Sequence, residues 1–499
     1  MNIGRIKATR EESISDDRFT IFSFLWAAAV IFHLGKWNIW LHSPVSFALG
    51  VSAVYVILKP SSSYRLYVLI ILQLIDAFEK MPWVSNHWLF ASIVNLTILA
   101  SALVLVVSAR NISIDRSRLF NAFAPALRLE LLLLYFFSFF HKLNTGWFDP
   151  AVSCSTKIFS SSFNPPGFLQ SPLVSEILPV YGTLAVEGMI PLFLLTRRLR
   201  TAGIIIALFF HFMLGMFEYY NFSAVTYAML FLFTPDNFPE RLRALWDGSW
   251  IRELYTYSLD RGYIGKAKAA VLITAGAACL ALLIYTKMNY PGVQPFIEPM
   301  EVWTLRKPRL YYVFLALWGL FGSALIALFL ITLRRGKLLH YGTSRYFVPG
   351  CKILMLFPLI IAINGVSPYL GLKTQTSWSM FSNLRTEGGY TNHLIVRHPY
   401  YLADVQSDLV EIKHSTDPRL SVFHEKGYLI PYFELRRYTS MNDSALSREF
   451  TLEYVRKGAN KQVSKPGDDP VLFEPENYFL RKLLSLRPVP SGNSGVCQH

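Results

Sequence analysis

The chain has 499 residues, a length that suits two or three soluble domains, but 53% of them are hydrophobic and only 16% charged, with mean hydropathy +0.33. A soluble fold of that composition would expose large apolar surfaces, so a membrane-embedded chain is expected. The net charge of +15 punctuates apolar runs and forms no block, which excludes nucleic acid as the partner and fits the basic loops of a membrane protein.

Residues 1–18 mix Arg5, Lys7 and Arg10 with Glu11, Glu12, Asp16 and Asp17, and read as a cytosolic segment before an uncleaved first helix. Strong apolar runs follow at 19–41, 88–107, 122–141, 176–196, 269–286 and 311–333, with shorter ones at 45–58, 66–79, 202–217, 222–234 and 353–370. A span needs roughly 20 apolar residues, fewer where protein shields the ends. The expected fold is therefore an all-α polytopic membrane helical bundle over 19–370, with about 9–11 transmembrane helices. Loops 1–18, 59–65, 108–121, 197–201, 235–268 and 334–352 carry 23 Lys and Arg, against seven in the loops of the opposite side. That asymmetry predicts a cytosolic N-terminus, an odd number of crossings and an extracytoplasmic C-terminal domain in a cell membrane.

Beyond residue 370 the hydrophobic runs shorten and charge rises. Residues 371–485 read as a small α+β extramembrane domain, and 486–499 as a disordered tail. Strands are expected at 392–396 and 407–415, and a helix at 443–458 behind Asp443 or Ser444. Cys154, Cys279, Cys351 and Cys497 lie far apart with no CxxC pair, which argues against a disulfide framework or a zinc ribbon.

The chain contains no GxxxxGK, GxGxxG, HExxH or GxSxG, which removes the sequence support for nucleotide-driven transport, nicotinamide chemistry, zincin proteolysis and the common serine hydrolases. No two histidines stand at i, i+4 on one helix, so no metal site is expected. Polar residues inside apolar runs carry what chemistry there is. In YFFSFFHKLNTGWFDP (135–150) an apolar helix ends on His141 and Lys142. Lys142 either snorkels to the headgroups or sits in a partly dry pocket, where desolvation makes a neutral amine available as a base. Glu187 lies nearly mid-helix and must face the bundle interior, either paired or protonated. In FFHFMLGMFEYYNF (209–222), His211 and Glu218 are seven residues apart, on one face of a helix. Arg128 and Glu130 read as ordinary interfacial residues. The segment 367–396 is dense in aromatic and polar residues; a membrane-surface belt accounts for Trp378 but not for Asn383, Arg385 and Glu387.

These segments resemble the horizontally transferred transmembrane family, whose best-known member is the vitamin K-dependent gamma-carboxylase. SWSMFSNLRTEGGYTNHLIV (377–396) is similar to the family signature after the last membrane helix, and YFFSFFHKLNTGWF to the segment carrying the catalytic lysine. FFHFMLGMFEYYNFSAVTYAMLFLF is similar to a later family helix that begins with Phe-His, and the likeness covers about residues 19–396. The resemblance implies that Lys142 is the base that deprotonates a reduced quinone of the vitamin K type. It implies catalytic roles for His211 and Glu187, and cofactor contacts from His141, Trp147 and Trp378. Two departures stand out. His141–Lys142 replaces a pair of lysines, and only about 130 residues follow the membrane domain, where the carboxylase has a large luminal domain. Three functions follow: a quinol-dependent membrane enzyme, a non-catalytic helper for maturation or export of a secreted peptide, or a proton-coupled transporter using Glu187, His211 and Glu218.

Overall fold

The computed structural model describes residues 2–110, 114–162, 171–247, 309–334, 341, 346–441, 450–492 and 497. The fold is a bundle of apolar helices with a small antiparallel sheet near the C-terminus. Among the described residues, seven helices are long and apolar enough to cross a membrane: Asp17–Gly35, Asn86–Ala109, Arg116–His141, Leu173–Leu195, Arg200–Phe231, Tyr311–Arg334 and Lys352–Leu370. The apolar run 269–286 lies outside the described residues.

Helix α1 (Asn2–Gly35) is followed by α2 (Pro44–Leu58), α3 (Ser63–Lys80), α4 (Asn86–Ala109) and α5 (Arg116–His141). Local chemistry sets several starts. The Ser43 hydroxyl accepts from the Ser46 amide ahead of Pro44, and the Asp115 carboxylate accepts from the amides of Ser117 and Arg118. Two short helices, α6 (Thr145–Phe148) and α7 (Cys154–Ser162), lead to a wide-turned segment, Leu173–Gly182, continuous with α8 (Thr183–Leu195). Helices α9 (Arg200–Leu214) and α10 (Tyr220–Phe231) follow. They form a hairpin, not one long rod: Phe217 and Glu218 leave helical geometry, and the Tyr227 hydroxyl donates to Leu208 O at 2.8 Å. In a straight helix, residues that far apart would be about 28 Å distant. The separate runs expected at 202–217 and 222–234 correspond to these two limbs. Glu218, however, sits at the tip with φ 76° and does not lie two turns below His211.

The ends of the bundle differ. At one end Arg18 pairs with Asp236 at 2.8 Å and donates to Thr234 O, while Arg128 Nε donates to Leu232 O at 2.9 Å and Arg200 Nε to Leu194 O at 2.9 Å. These guanidiniums satisfy carbonyls at the C-terminal ends of α8 and α10, where the helix dipole favours a cation. Arg128 is thus buried and not interfacial. Glu130 is buried as well, bonded to Thr97 at 2.7 Å. At the other end Lys36 donates to Glu218 O at 3.0 Å, so the hairpin runs the height of α1. Helix α11 (Phe238–Asp247) lies at the Arg18 end, where the Phe238 ring packs tilted against Phe329 of α12 (Arg309–Arg334). Helix α13 (Leu356–Val366) then returns to the far end, where Gly365 lies against the Phe137 ring so closely that an added Cβ would stand 2.3 Å away. Such small-residue contacts let apolar helices approach without a hydrophobic driving force.

The C-terminal domain has five strands in the order β4-β3-β1-β2-β5: β1 (Leu409–Ser415), β2 (Tyr428–Pro431), β3 (Leu452–Arg456), β4 (Ala459–Val463) and β5 (Val489–Pro490). All pairings are antiparallel. Helices α14 (Pro418–Glu425), α15 (Tyr432–Met441), α16 (Pro470–Phe473) and α17 (Tyr478–Leu483) accompany the sheet. Its core gathers Val410, Ile412, Phe423, Leu435 and Tyr454. The strand expected at 407–415 is β1. The one expected at 392–396 is instead a loop with a single bridge, His393 to Asn144. The helix expected at 443–458 gives way to β3, because pairing with β1 and β4 overrides local helical preference; residues 442–449 lie outside the described residues.

The expected absence of a disulfide is corrected, as is the expected disorder of the tail at its described residues 486–492. Cys154 and Cys497 are bonded across 343 residues, and β5 joins the sheet. Blocking free thiols before reduction is expected to leave Cys154 and Cys497 unlabelled, with both becoming reactive after dithiothreitol; labelling of either before reduction overturns the bond.

Candidate functional site

The far end of α5 collects the polar groups. Helix α5 stops at His141 because Asn144 begins a new helix, its Oδ1 accepting from the Trp147 amide at 2.9 Å. Lys142 folds back over the last turn, donating to Ser138 O at 3.1 Å and Ser138 Oγ at 3.0 Å. Its third donor meets Glu187 Oε2 of α8 at 2.7 Å, with both side chains almost fully buried. Ser138 Oγ also donates to Glu187 Oε2 at 3.2 Å, and the Lys142 amine lies 5.3 Å from the Trp147 ring centroid. Lys142 and Glu187, singled out separately in the sequence, therefore belong to one buried ion pair, and no snorkelling to the surface occurs.

Tyr135, Ser138 and Lys142 stand at i, i+3 and i+7 on one face of α5. Two turns below Lys142, the Tyr135 hydroxyl meets His211 Nε2 of α9 at 2.6 Å. His211 is buried, edge-on to Phe222, and makes no direct bond to Lys142. It belongs to the second layer of the same polar face. Tyr135 and Ser138 carried no sequence signal beyond their spacing from Lys142.

The remaining expected residues separate. Trp147 walls the site: it is buried, its Nε1 donates to Val180 O at 3.2 Å, and it packs with the Cys154–Cys497 bond. His141 turns away from Lys142, since neighbours on a helix point about 100° apart; its Nε2 meets Gly365 O at 2.9 Å and its ring packs beside Tyr369. Trp378 is buried, with Nε1 donating to Ile361 O at 2.8 Å and its ring edge-on to Phe90. It is a packing residue of the bundle and not part of a surface belt.

The segment 377–393 lies over this end through asparagines. Asn144 Nδ2 donates to Ser382 O at 2.6 Å, Asn383 Oδ1 accepts from the Cys154 amide at 2.8 Å, and Asn392 Nδ2 donates to Asn383 O at 2.8 Å. Glu387 pairs with Arg487 at 2.9 Å, both buried, and Arg385 donates to Gly492 O. The polar run that the sequence left unexplained therefore ties the C-terminal strand segment to the helix carrying Lys142. A second buried cluster was missed. His33 Nδ1 and His87 Nε2 meet at 3.0 Å, His33 stacks on Trp88, and Trp88 Nε1 donates to Asp76, which pairs with Lys80 at 2.6 Å.

Chemically, the Lys142 site can hold a proton on either partner of an amine–carboxylate pair, shielded from water and steadied by one serine. Comparison with known proteins adds no assignment: no family model, no curated protein and no solved structure matches this chain.

Proposed function

We propose that this chain is a multi-pass membrane enzyme of the carboxylase-like type, with about 9–11 crossings, in which Lys142 and Glu187 take a proton from a lipid-soluble reduced quinone. The observation that carries this reading is the buried Lys142–Glu187 pair at 2.7 Å, bridged by Ser138 beside the Trp147 ring. An aromatic wall and a buried amine suit an apolar ligand bearing a phenolic hydroxyl. When bound, a reduced quinone supplies that hydroxyl and an oxygen-reactive ring. Lys142 presents a neutral amine once its own proton resides on Glu187, and then accepts the incoming proton at Nζ. Ser138 holds the two side chains in register, and Tyr135–His211 supplies the next proton-bearing groups on the same face.

Two observations support an extracytoplasmic placement of the Lys142 end. The Cys154–Cys497 bond lies on that side, and disulfides persist in oxidising compartments. The loops of the Arg18 side carry the excess of Lys and Arg. A secreted peptide is the proposed acceptor.

The test is quinol epoxidation by purified protein in lipid. Wild type is expected to form epoxide with oxygen, Lys142→Ala to form none, and Lys142→Arg, which keeps the charge pair, to remain folded but inactive. A second reading rests on the saturation of the ammonium, whose three donors already meet Ser138 O, Ser138 Oγ and Glu187. A purely structural pair would make the chain a non-catalytic helper for a secreted peptide, and absence of epoxide from folded wild type selects that reading.

A further inference from the structure

The extramembrane domain carries apolar side chains that its own core does not use. Leu394, Ile395, Tyr400 and Leu402 are exposed along one loop, Ile395 by 62% and Tyr400 by 71%. Tyr478, Phe479, Leu480 and Leu483 are exposed on α17, Phe479 by 67%. Single exposed apolar residues are ordinary on soluble surfaces, but runs of them mark an interaction surface. Each run also holds cations: Arg397 in the loop, Arg481 and Lys482 on the helix.

Backbone hydrogen bonds fix the depth of the first run. The Leu394 amide donates to Leu143 O at 2.8 Å, the Tyr400 amide to Tyr369 O at 2.7 Å and the Leu402 amide to Leu370 O at 2.9 Å. Those acceptors lie within two residues of the ends of the apolar spans Arg116–His141 and Lys352–Leu370. Two residues rise about 3 Å along a helix, whereas the headgroup layer of one leaflet is roughly 5–7 Å deep. The loop therefore lies within that layer whenever the bundle spans a bilayer. The second run is fixed by Lys482, which donates to Phe78 O at 3.2 Å and Glu79 O at 3.3 Å in the last turn of α3. Both runs continue outward-facing apolar residues of the helices they touch: Phe136 on α5, Ile363 on α13, and Ile71, Ile75 and Phe78 on α3.

We infer that the C-terminal domain is seated in the headgroup layer on two lips, 394–402 and 478–483, so that its surface is a lipid-binding surface. The apolar side chains enter the outer edge of the acyl region while Arg397 and Arg481 meet lipid phosphates and Lys482 tethers the helix to α3. This rests on the bundle lying in a bilayer and is independent of any catalysis at Lys142.

Depth-dependent quenching tests it on the full chain, with Cys279 and Cys351 replaced by serine. Single cysteines at Ile395, at Phe479 and, as control, at Lys457 in the exposed β3–β4 turn carry an environment-sensitive fluorophore in nanodiscs holding one copy each. Leu402 and Leu483 are the second positions in each lip should a label at the first disturb folding. Quenching at both lips is expected to be about twofold or more stronger from lipids labelled near the headgroup than from lipids labelled at the chain end, with none at Lys457. Lips that stay unquenched in single-copy discs overturn the proposal. So does quenching that is lost when a second copy, or an added peptide, shields the same labels, since that assigns the surface to protein.

Discussion

Lys142→Met and Glu187→Leu are each expected to destabilise the protein by about 3–5 kcal/mol, and the double substitution to recover most of that loss. Either single change strands a charge between α5 and α8, where the side chains of Lys142 and Glu187 are only 4% and 10% exposed. The desolvation penalty of the remaining ion is then uncompensated, which is far larger than the net worth of the pair itself. Removing both leaves two apolar side chains of similar length in a space lined by Trp147 and the last turn of α5. Thermal unfolding of the four proteins in one detergent gives the double-mutant cycle. A coupling below about 1 kcal/mol would mean the two charges are separately solvated, and the proton-transfer reading of the site would lose its basis. Ser138→Ala belongs to the same experiment. It removes hydrogen bonds to both partners without removing a charge, so a smaller loss of about 1–2 kcal/mol is expected.

Why Lys142 and Glu187 were legible and their connection was not follows from the physics of apolar helices. A charge inside an apolar run is costly in lipid, so each stands out alone. Nothing in a run of leucines and phenylalanines says which helix is its neighbour, and serines or tyrosines within it are ordinary. His141 was grouped with Lys142 because it is adjacent in sequence, yet adjacency places it on another face, against Gly365. Glu218 was placed on the helix of His211 by counting residues through Phe217, where the backbone turns back. The domain beyond the bundle was read less well than the bundle itself. Its loop 392–396 has the composition of a strand, but its amides are taken by Leu143 O, brought there by distant chain folding, and by the His393 ring within the loop itself. The Cys154–Cys497 bond spans 343 residues, and no spacing rule reaches across that distance.

Acidification is expected to loosen the lip at 394–396 through His393. Its Nε2 donates to Phe140 O at 2.9 Å, while Nδ1 accepts from the amides of Ile395 at 3.1 Å and Val396 at 3.0 Å. The ring is thus neutral, with its proton on Nε2, and a second proton would set an N–H against two amide donors. Burial lowers the His393 pKa below its usual 6.5, partly offset by the bond to Phe140 O. His141, on the end of α5, is the titratable neighbour, and the ring of Tyr369 lies 5.3 Å away. A histidine whose folded pKa is depressed contributes stability that is complete above its unfolded value and lost as pH falls through the lower folded value. The window therefore lies below 6.5. Losing two backbone hydrogen bonds costs about 1–3 kcal/mol, or roughly ten- to a hundredfold in local protection. Hydrogen exchange at Ile395 and Val396, corrected for intrinsic rates, is expected to accelerate progressively as pH falls below 6.5, by no more than about tenfold per pH unit, and to lose this dependence in His393→Gln. Protection that stays constant over the range in wild type would mean that protonation of His393 does not control these two amides. Because the same loop sets the depth of the domain in the leaflet, fluorescence from a label at Ile395 should report the transition at the same pH, whereas one at Phe479, held by Lys482 on α3, should not.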